Sequence, residues 1–464
     1  MPSSISSLRD NDLNCPPPQN STRTRATSRR RPTSLDVLAN PQAPEATKLP
    51  RNRKRQRPPA HERNQSTMRA ARRALPAHLL CRSCLRHQQR RFASSAAPPR
   101  PPPSGLAALP SRQLLSVSGP EASKFLQGII TANVTGADGL PRKDAFYSGL
   151  LNATGRVVHD IFVYPLRQGG PAPWATEEGY LLEADAGEVA RLARLIRRYK
   201  LRARVTVRDV PPDEASVWQA WDEASPLAPD VAAGESRLVL EDPRAPGLGC
   251  RIVQLNHRAP ELDVDASTEA AYTIRRYLRG VAEGQDEMLR EQALPLEANM
   301  DVMGAIDFRK GCYVGQELTI RTRHRGVVRK RILPCVIYGK DKAAPRALLY
   351  DAECSSPESL TADMIPAGTS VGRLGKRGRS AGRWLKGVGN IGLALCRLEI
   401  MTDLVLPGEQ AAATYGPGGD EFVLEWGEGG EDNKSDVKVR AFVPAWLREA
   451  LSAQGLDRTE RIHR

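Results

Sequence analysis

The charge of this chain is divided along its length, and that division limits what can fold. Residues 1–100 carry 21 Lys and Arg against 5 Asp and Glu, whereas residues 101–464 carry 47 against 48. The formal net charge of +15 therefore sits in a leader. The body, long enough for two to four domains, is electrically neutral. Affinity built on phosphate neutralisation places its charge on the folded module, so no nucleic-acid partner is expected. No apolar run approaches the roughly 18 residues of a membrane span, and no transmembrane segment is expected either.

The leader divides again at Met68. Residues 1–67 are rich in Ser, Thr, Arg, Asn and Pro, with a basic run Arg51, Arg53, Lys54, Arg55, Arg57. Such a stretch cannot bury enough apolar surface to order itself, and it reads as a disordered extension, or one that is never translated if synthesis starts at Met68. Residues 68–95 contain many arginines, small and apolar residues, and no acid. This is the composition of a mitochondrial presequence, and Arg91-Phe92-Ala93-Ser94-Ser95 resembles a matrix-protease cleavage pattern. The mitochondrial matrix is the expected compartment. Residues 96–105 are a Pro-rich linker. Cys81-x-x-Cys84 has half the spacing of a metal site and lacks a second pair. Cys250, Cys312, Cys335, Cys354 and Cys396 follow no framework spacing, which suits a reducing compartment.

The folded region reads as α+β. Ser118-Gly119-Pro120-Glu121 has the form of a capping box, ahead of Ala122, Phe125, Leu126 and Ile129 on one helical face. Residues 156–164 predict a strand ended by Pro165. Val189, Leu192, Ala193 and Ile196 predict a helix over 188–199, and 204–210 and 269–280 predict a strand and a helix. The Gly-rich phosphate fingerprint of a doubly wound sheet is missing. Residues 106–330 are thus one α+β region. In 331–464 short apolar runs (332–338, 370–374, 391–400, 437–443) predict a C-terminal β-barrel-like domain, with a helix over 444–453 and surface insertions at 372–389 and 416–436.

The segment richest in chemistry is Lys310-Gly311-Cys312-Tyr313-Val314-Gly315-Gln316-Glu317. Its glycines permit a tight turn that presents the thiol, and Arg309 and Lys310 favour a thiolate, the form that ligates metal. A buried, inert cysteine is the competing reading. No His or Asp stands beside Cys312 as a proton acceptor, which argues against a cysteine hydrolase.

This octad resembles the signature of the YgfZ-type branch of the folate-binding family that also contains the glycine-cleavage aminomethyltransferase (GcvT). SGPEASKFLQ (118–127), LNATGRVVHD (151–160), LEAN (296–299) and NIGLAL (390–395) resemble further family segments, so the likeness covers roughly residues 106–400. It implies an α+β region arranged around a central cleft for tetrahydrofolate, followed by a C-terminal barrel. Glu297 matches the carboxylate that grips the pterin, and Asp160 and Arg321 are further folate-binding candidates. The transferases carry an Asp-Asp pair where this chain has His159-Asp160. Period-2 alternation puts Asp160 with Val158, Phe162 and Tyr164, and His159 with Val157, Ile161 and Val163. A half-buried, satisfied histidine is expected there rather than a metal ligand.

The cysteine belongs to the branch that serves iron-sulfur cluster assembly. With a presequence, the resemblance implies a mitochondrial assembly factor acting with A-type iron-sulfur scaffold proteins in the maturation of [4Fe-4S] enzymes such as aconitase and lipoate synthase. A cluster takes about four protein ligands, so Cys312 is the candidate for one ligand of a shared [2Fe-2S] cluster. A tetrahydrofolate-dependent aminomethyl or one-carbon transferase is the alternative.

Overall fold

Alternating apolar residues build most of this molecule. The computed structural model describes residues 97–462 except 137, 171, 173, 226, 228–235, 257, 354–359, 377, 405–415, 417–418 and 428–434, with backbone alone at 455–462. The extension, the presequence, Cys15, Cys81, Cys84 and Cys354 lie outside the described residues.

In chain order the α+β region contains β1 (Ser104–Ala108), β2 (Arg112–Ser118), α1 (Ala122–Gln127), β3 (Phe146–Leu151), β4 (Val157–Leu166), β5 (Gly179–Asp185), α2 (Val189–Lys200), β6 (Thr206–Val210), β7 (Ser216–Asp222), β8 (Arg237–Glu241), β9 (Cys250–Gln254), β10 (Ala266–Ser267), α3 (Glu269–Leu278) and α4 (Gln316–Arg325). Two five-stranded sheets result, ordered β10-β1-β7-β9-β8 and β3-β4-β5-β2-β6. Strand β2 shows how they stack. Leu115 and Val117 face α1 and α2, while Leu114 points the other way into a core shared with Val217, Trp221 and Val253 of the first sheet. Helix α2 buries Val189, Leu192, Ala193 and Ile196, the stripe its sequence predicts.

Two local expectations are corrected. Ser118 ends strand β2 rather than capping a helix; α1 starts after Glu121 with no side-chain cap, and Ile129 lies beyond its end. Strand β4 continues through Pro165 to Leu166, because there it pairs only with β5, opposite Tyr180, and a missing N-H costs least where one neighbour is absent. A register shift also changes which residues share a face. Leu151 pairs with Val157 and Leu150 with His159, leaving Val158 as an extra residue. This bulge puts Val157 into the core of Phe162 and Tyr164, not beside Ile161 and Val163, which pack in the other core.

The C-terminal strands β11 (Lys330–Tyr338), β12 (Ser370–Arg373), β13 (Gly382–Val388), β14 (Ile391–Arg397), β15 (Phe422–Trp426) and β16 (Ser435–Ala441) close a barrel in the order β11-β14-β13-β12-β15-β16. Closure removes the exposed edges. Both stretches read as surface insertions therefore supply barrel strands: β13 falls inside 372–389 and β15 inside 416–436. Trp384 fills the barrel interior, and Gly392 leaves the space its indole occupies. The run through residue 400 breaks after Arg397 into one helical turn, α5 (Leu398–Met401), and α6 (Ala445–Ile462) follows the barrel. No helix among the described residues is long and apolar enough to cross a membrane.

The Pro-rich stretch is tied down. Trp221 donates to the Pro102 carbonyl at 3.1 Å, Tyr350 to that of Pro98 at 2.5 Å, and Arg100 to the Tyr350 carbonyl at 3.3 Å.

Candidate functional site: an exposed thiol on a pinned loop

The octad forms a loop that enters α4, and four hydrogen bonds fasten it and the residues just before it to the segment after α1. Asp307 N-H donates to the Thr131 carbonyl at 3.1 Å and Val314 N-H to that of Gly128 at 3.1 Å. Lys310 Nζ donates to the carbonyls of Ile130 and Ala132 at 2.8 and 2.7 Å. Burial lowers the Lys310 ammonium to about 8. This lysine is thus a structural pin whose donors are turned onto the backbone.

Gly315 makes the turn into α4 with φ of 78°, a conformation that costs residues with a Cβ about 1–2 kcal/mol. Its neighbours support the same turn: Gln316 Oε1 accepts from Tyr313 N-H at 3.2 Å, and the Tyr313 ring is buried. Gly311 has open space around it and no positive φ. Glu317 in the first turn and Arg323, His324 and Arg325 in the last match the helix dipole. At the tip, Cys312 is exposed, whereas Cys250, Cys335 and Cys396 are buried free thiols. The structure excludes the buried-cysteine reading of this position.

Glu297 lies under the same helix. Its side chain is 18% exposed and reaches Lys330 Nζ at 3.4 Å. A cavity of about 150 Å³ adjoins it, walled by Leu294, Leu296, Leu318 and Val328. Thr319 lines that cavity too, and its buried hydroxyl has no partner among the described residues. Sequence reading gave no signal for Thr319, since its role depends on α4 folding over Glu297.

Asp160 lies elsewhere. It lines neither this cavity nor the smaller one on the other side of Glu297. Its fully buried carboxylate accepts from Arg112 at 3.3 Å, Gly284 N-H at 3.2 Å and Gln285 at 3.3 Å. Arg112 also holds Glu183 at 2.9 Å, which begins a buried network between the two sheets. Glu283 there accepts from Arg244 at 2.6 Å and Tyr272 at 2.7 Å, and also from Arg251. Burial pushes the Glu283 carboxyl up, but Arg251, Arg244 and Arg276 outweigh it and hold it well below the carboxylate range. Beside this network a cleft of about 660 Å³ opens between Arg112, Asp185 and Arg276 of the α+β region and Lys386 of the barrel.

His159 departs from its expectation. It is fully buried, neither ring nitrogen has a partner among the described residues, and burial pushes its imidazole down to about 4. No group of three or more His, Cys, Asp or Glu side chains suited to a metal exists among the described residues. Arg321 is exposed on α4.

Known proteins resemble this one in fold and in sequence. Residues 329–449 match the family model described as CAF17, C-terminal beta-barrel domain. The glycine cleavage system aminomethyltransferase T of Bartonella henselae superposes with a TM-score of 0.50 at 14% identity, covering 74% of this chain and 86% of that one. The structure therefore has an aminomethyltransferase-like fold with a C-terminal barrel, and it carries an exposed thiol on a pinned loop. The protein of Pyricularia oryzae named iron-sulfur cluster assembly factor IBA57 homolog, mitochondrial, is 56% identical over 388 residues, 82% of this chain and 94% of that protein. Its namesake from Neurospora crassa is 48% identical over 391 residues, 80% and 87% of the two chains. The chain belongs to the mitochondrial IBA57 family of iron-sulfur cluster assembly factors.

Proposed function

We propose that this protein acts in iron-sulfur cluster assembly in the mitochondrial matrix, with Cys312 as one ligand of a [2Fe-2S] cluster shared with an A-type scaffold protein. The cluster is cargo, passed on in the maturation of [4Fe-4S] enzymes of the aconitase and lipoate synthase class. The observation that carries this reading is the pairing of an exposed thiol on a rigidly held loop with the lack, among the described residues, of further ligands grouped to complete a site. A cluster needs about four ligands, so most must come from a partner. The test is anaerobic mixing of residues 96–464 with a [2Fe-2S]-loaded A-type scaffold. Wild type is expected to form a cluster-dependent complex with a changed cluster absorbance, and Cys312→Ala none. Equal behaviour of the two proteins sinks the shared-ligand mechanism.

A folate-dependent transferase is the second reading, favoured by the cavity at Glu297. One carboxylate can accept two parallel hydrogen bonds from the 2-amino and ring N-H groups of a pterin, and apolar walls with a spare Thr319 hydroxyl suit such a ring. At about 150 Å³ the cavity is below the roughly 300–1,000 Å³ of ordinary ligand pockets, so it suits the ring and leaves the rest of tetrahydrofolate outside. Buried neutral His159 in place of an acid weighs against transfer chemistry. Release of methylene-tetrahydrofolate from an aminomethyl carrier tests it, and the assembly reading expects none.

A further inference from the structure

The neutral body of this protein keeps two strongly basic segments: residues 191–208 hold eight Lys and Arg and no acid, and the second carries the exposed thiol. Residues 309–331 contain eight Lys and Arg and one acid, Glu317, and they begin three residues before the exposed thiol. Part of that charge is consumed internally. Lys310 is spent on two carbonyls, Lys330 on Glu297 and Arg331 on Asp301 at 2.9 Å, while the Arg323 guanidinium covers the Phe308 ring at 5.1 Å. Arg309, Arg321 and Arg325 are different. All three are exposed, and among the described residues no carboxylate forms an ion pair with them. The buried arginines, by contrast, are paired even though burial makes that expensive, as at Arg112, Arg244 and Arg276.

Helical spacing turns these residues into a surface. Glu317, Arg321 and Arg325 follow at i, i+4 and i+8 on α4, with exposed His324 beside them, so they share a face and form a ridge about 12 Å long. The ridge starts at the loop that presents Cys312, and exposed Arg309 precedes that loop in the chain. Phe308, the nearby aromatic ring available for base stacking, is already covered by Arg323, which disfavours single-stranded nucleic acid.

We infer that the Arg309, Arg321 and Arg325 surface is the docking ridge for the protein that supplies the remaining cluster ligands, and that this partner presents an acidic face beside its cluster. The inference rests on the proposed function and names the chemistry of its partner. Charge complementarity of this kind steers encounter and fixes register; here it brings one thiol to a cluster in one orientation.

The experiment measures the affinity of full-length mature protein for the [2Fe-2S]-loaded scaffold, anaerobically, at about 50 to about 300 mM salt. The variants are Arg321→Glu/Arg325→Glu and a charge-matched control, Arg194→Glu/Arg198→Glu, on exposed positions of α2. Wild-type binding is expected to weaken with salt, the ridge variant to bind about tenfold or more weakly with a flatter salt dependence, and the control to stay within about twofold. Melting temperatures of both variants verify folding. Equal loss in ridge and control variants, or no loss in the ridge variant, overturns the inference. A complex that survives the ridge variant but is lost in Cys312→Ala overturns the ridge alone; no cluster-dependent complex with wild type overturns the functional reading and the ridge with it. If an RNA oligonucleotide binds wild type as tightly as the scaffold and displaces it, the choice of an acidic protein is wrong.

Discussion

Gly155 and Gly315 stand on two segments packed so closely that neither glycine has room for a side chain. A Cβ on Gly155 would stand 3.0 Å from the Gly315 carbonyl oxygen, and a Cβ on Gly315 would run into the Asn152 carbonyl oxygen. Both have positive φ, 79° and 78°. Two segments about 160 residues apart thereby close on one another, and the β3–β4 turn becomes the floor on which the thiol loop rests.

Gly315→Ala is therefore expected to cost about 2–4 kcal/mol, from the left-handed backbone and from overpacking. Gly311→Ala, in the same motif with open space around it, is expected to stay within about 0.5 kcal/mol. Urea unfolding of the two variants decides this, and equal effects would mean that the turn does not depend on the close approach of Gly315 to Asn152.

Thiol reactivity should separate the cysteines. In a Cys354→Ser background of the mature chain, one thiol per folded molecule is expected to react rapidly with an alkylating agent, and Cys312→Ser should abolish that phase. Burial pushes Cys250 up to about 11, and Cys335 and Cys396 lie inside the barrel, so all three are poor in thiolate or access. Fast labelling at Cys335 or Cys396 would contradict the barrel packing, and at Cys250 the packing of the first sheet.

What was legible in the sequence follows from what each residue does alone. The α2 stripe was readable because four apolar residues repeat at helical spacing, and the octad because a cysteine between two glycines carries its own chemistry. Strand β13, Gly382–Val388, was not readable: Gly, Arg and Lys dominate it, and its inward packing rests on Trp384 filling space left by Gly387 and Gly392. Nor was the ionic network. Arg112, Arg251 and Glu283 are scattered in sequence and look like solvated charges until two sheets enclose them. The face shared by Val157 was misassigned because one bulged residue, Val158, resets the alternation.

Glu283→Gln is expected to be severely destabilising, by about 3–5 kcal/mol, because it leaves buried guanidiniums short of countercharge. The carboxyl is depressed in the folded state, so its contribution is present above the unfolded value of about 4.3 and is lost as pH falls through the lower folded value. Urea titrations from neutral to acid pH should find the variant's deficit shrinking in acid. A deficit below about 1 kcal/mol at neutral pH would mean that the network is not a structural joint.

His159 gives a second pH dependence at higher pH. Its folded value is lowered to about 4 from an unfolded value of about 6.5, so the unfolded chain binds the extra proton between these limits. Stability should fall as pH drops from 6.5 towards 4, and His159→Leu should flatten that slope relative to wild type. An unchanged slope would place the titrating group elsewhere.

The cavity at Glu297 makes opposite-signed predictions for two neighbouring side chains. Thr319→Val replaces a buried hydroxyl that has no partner among the described residues with a methyl group of similar size, which should stabilise the ligand-free protein by about 1 kcal/mol. Glu297→Gln removes a partly buried carboxylate and its ion pair with Lys330, and the pair is open enough that the loss should stay near 1 kcal/mol. Tetrahydrofolate titration then separates structural from binding roles. If the pterin is gripped as the cavity suggests, Glu297→Gln weakens binding about tenfold or more, and Thr319→Val weakens it while raising stability. A wild-type protein that binds no tetrahydrofolate, or variants that bind it as wild type does, would leave Glu297 as the anchor of Lys330 and the cavity as a packing gap beneath α4.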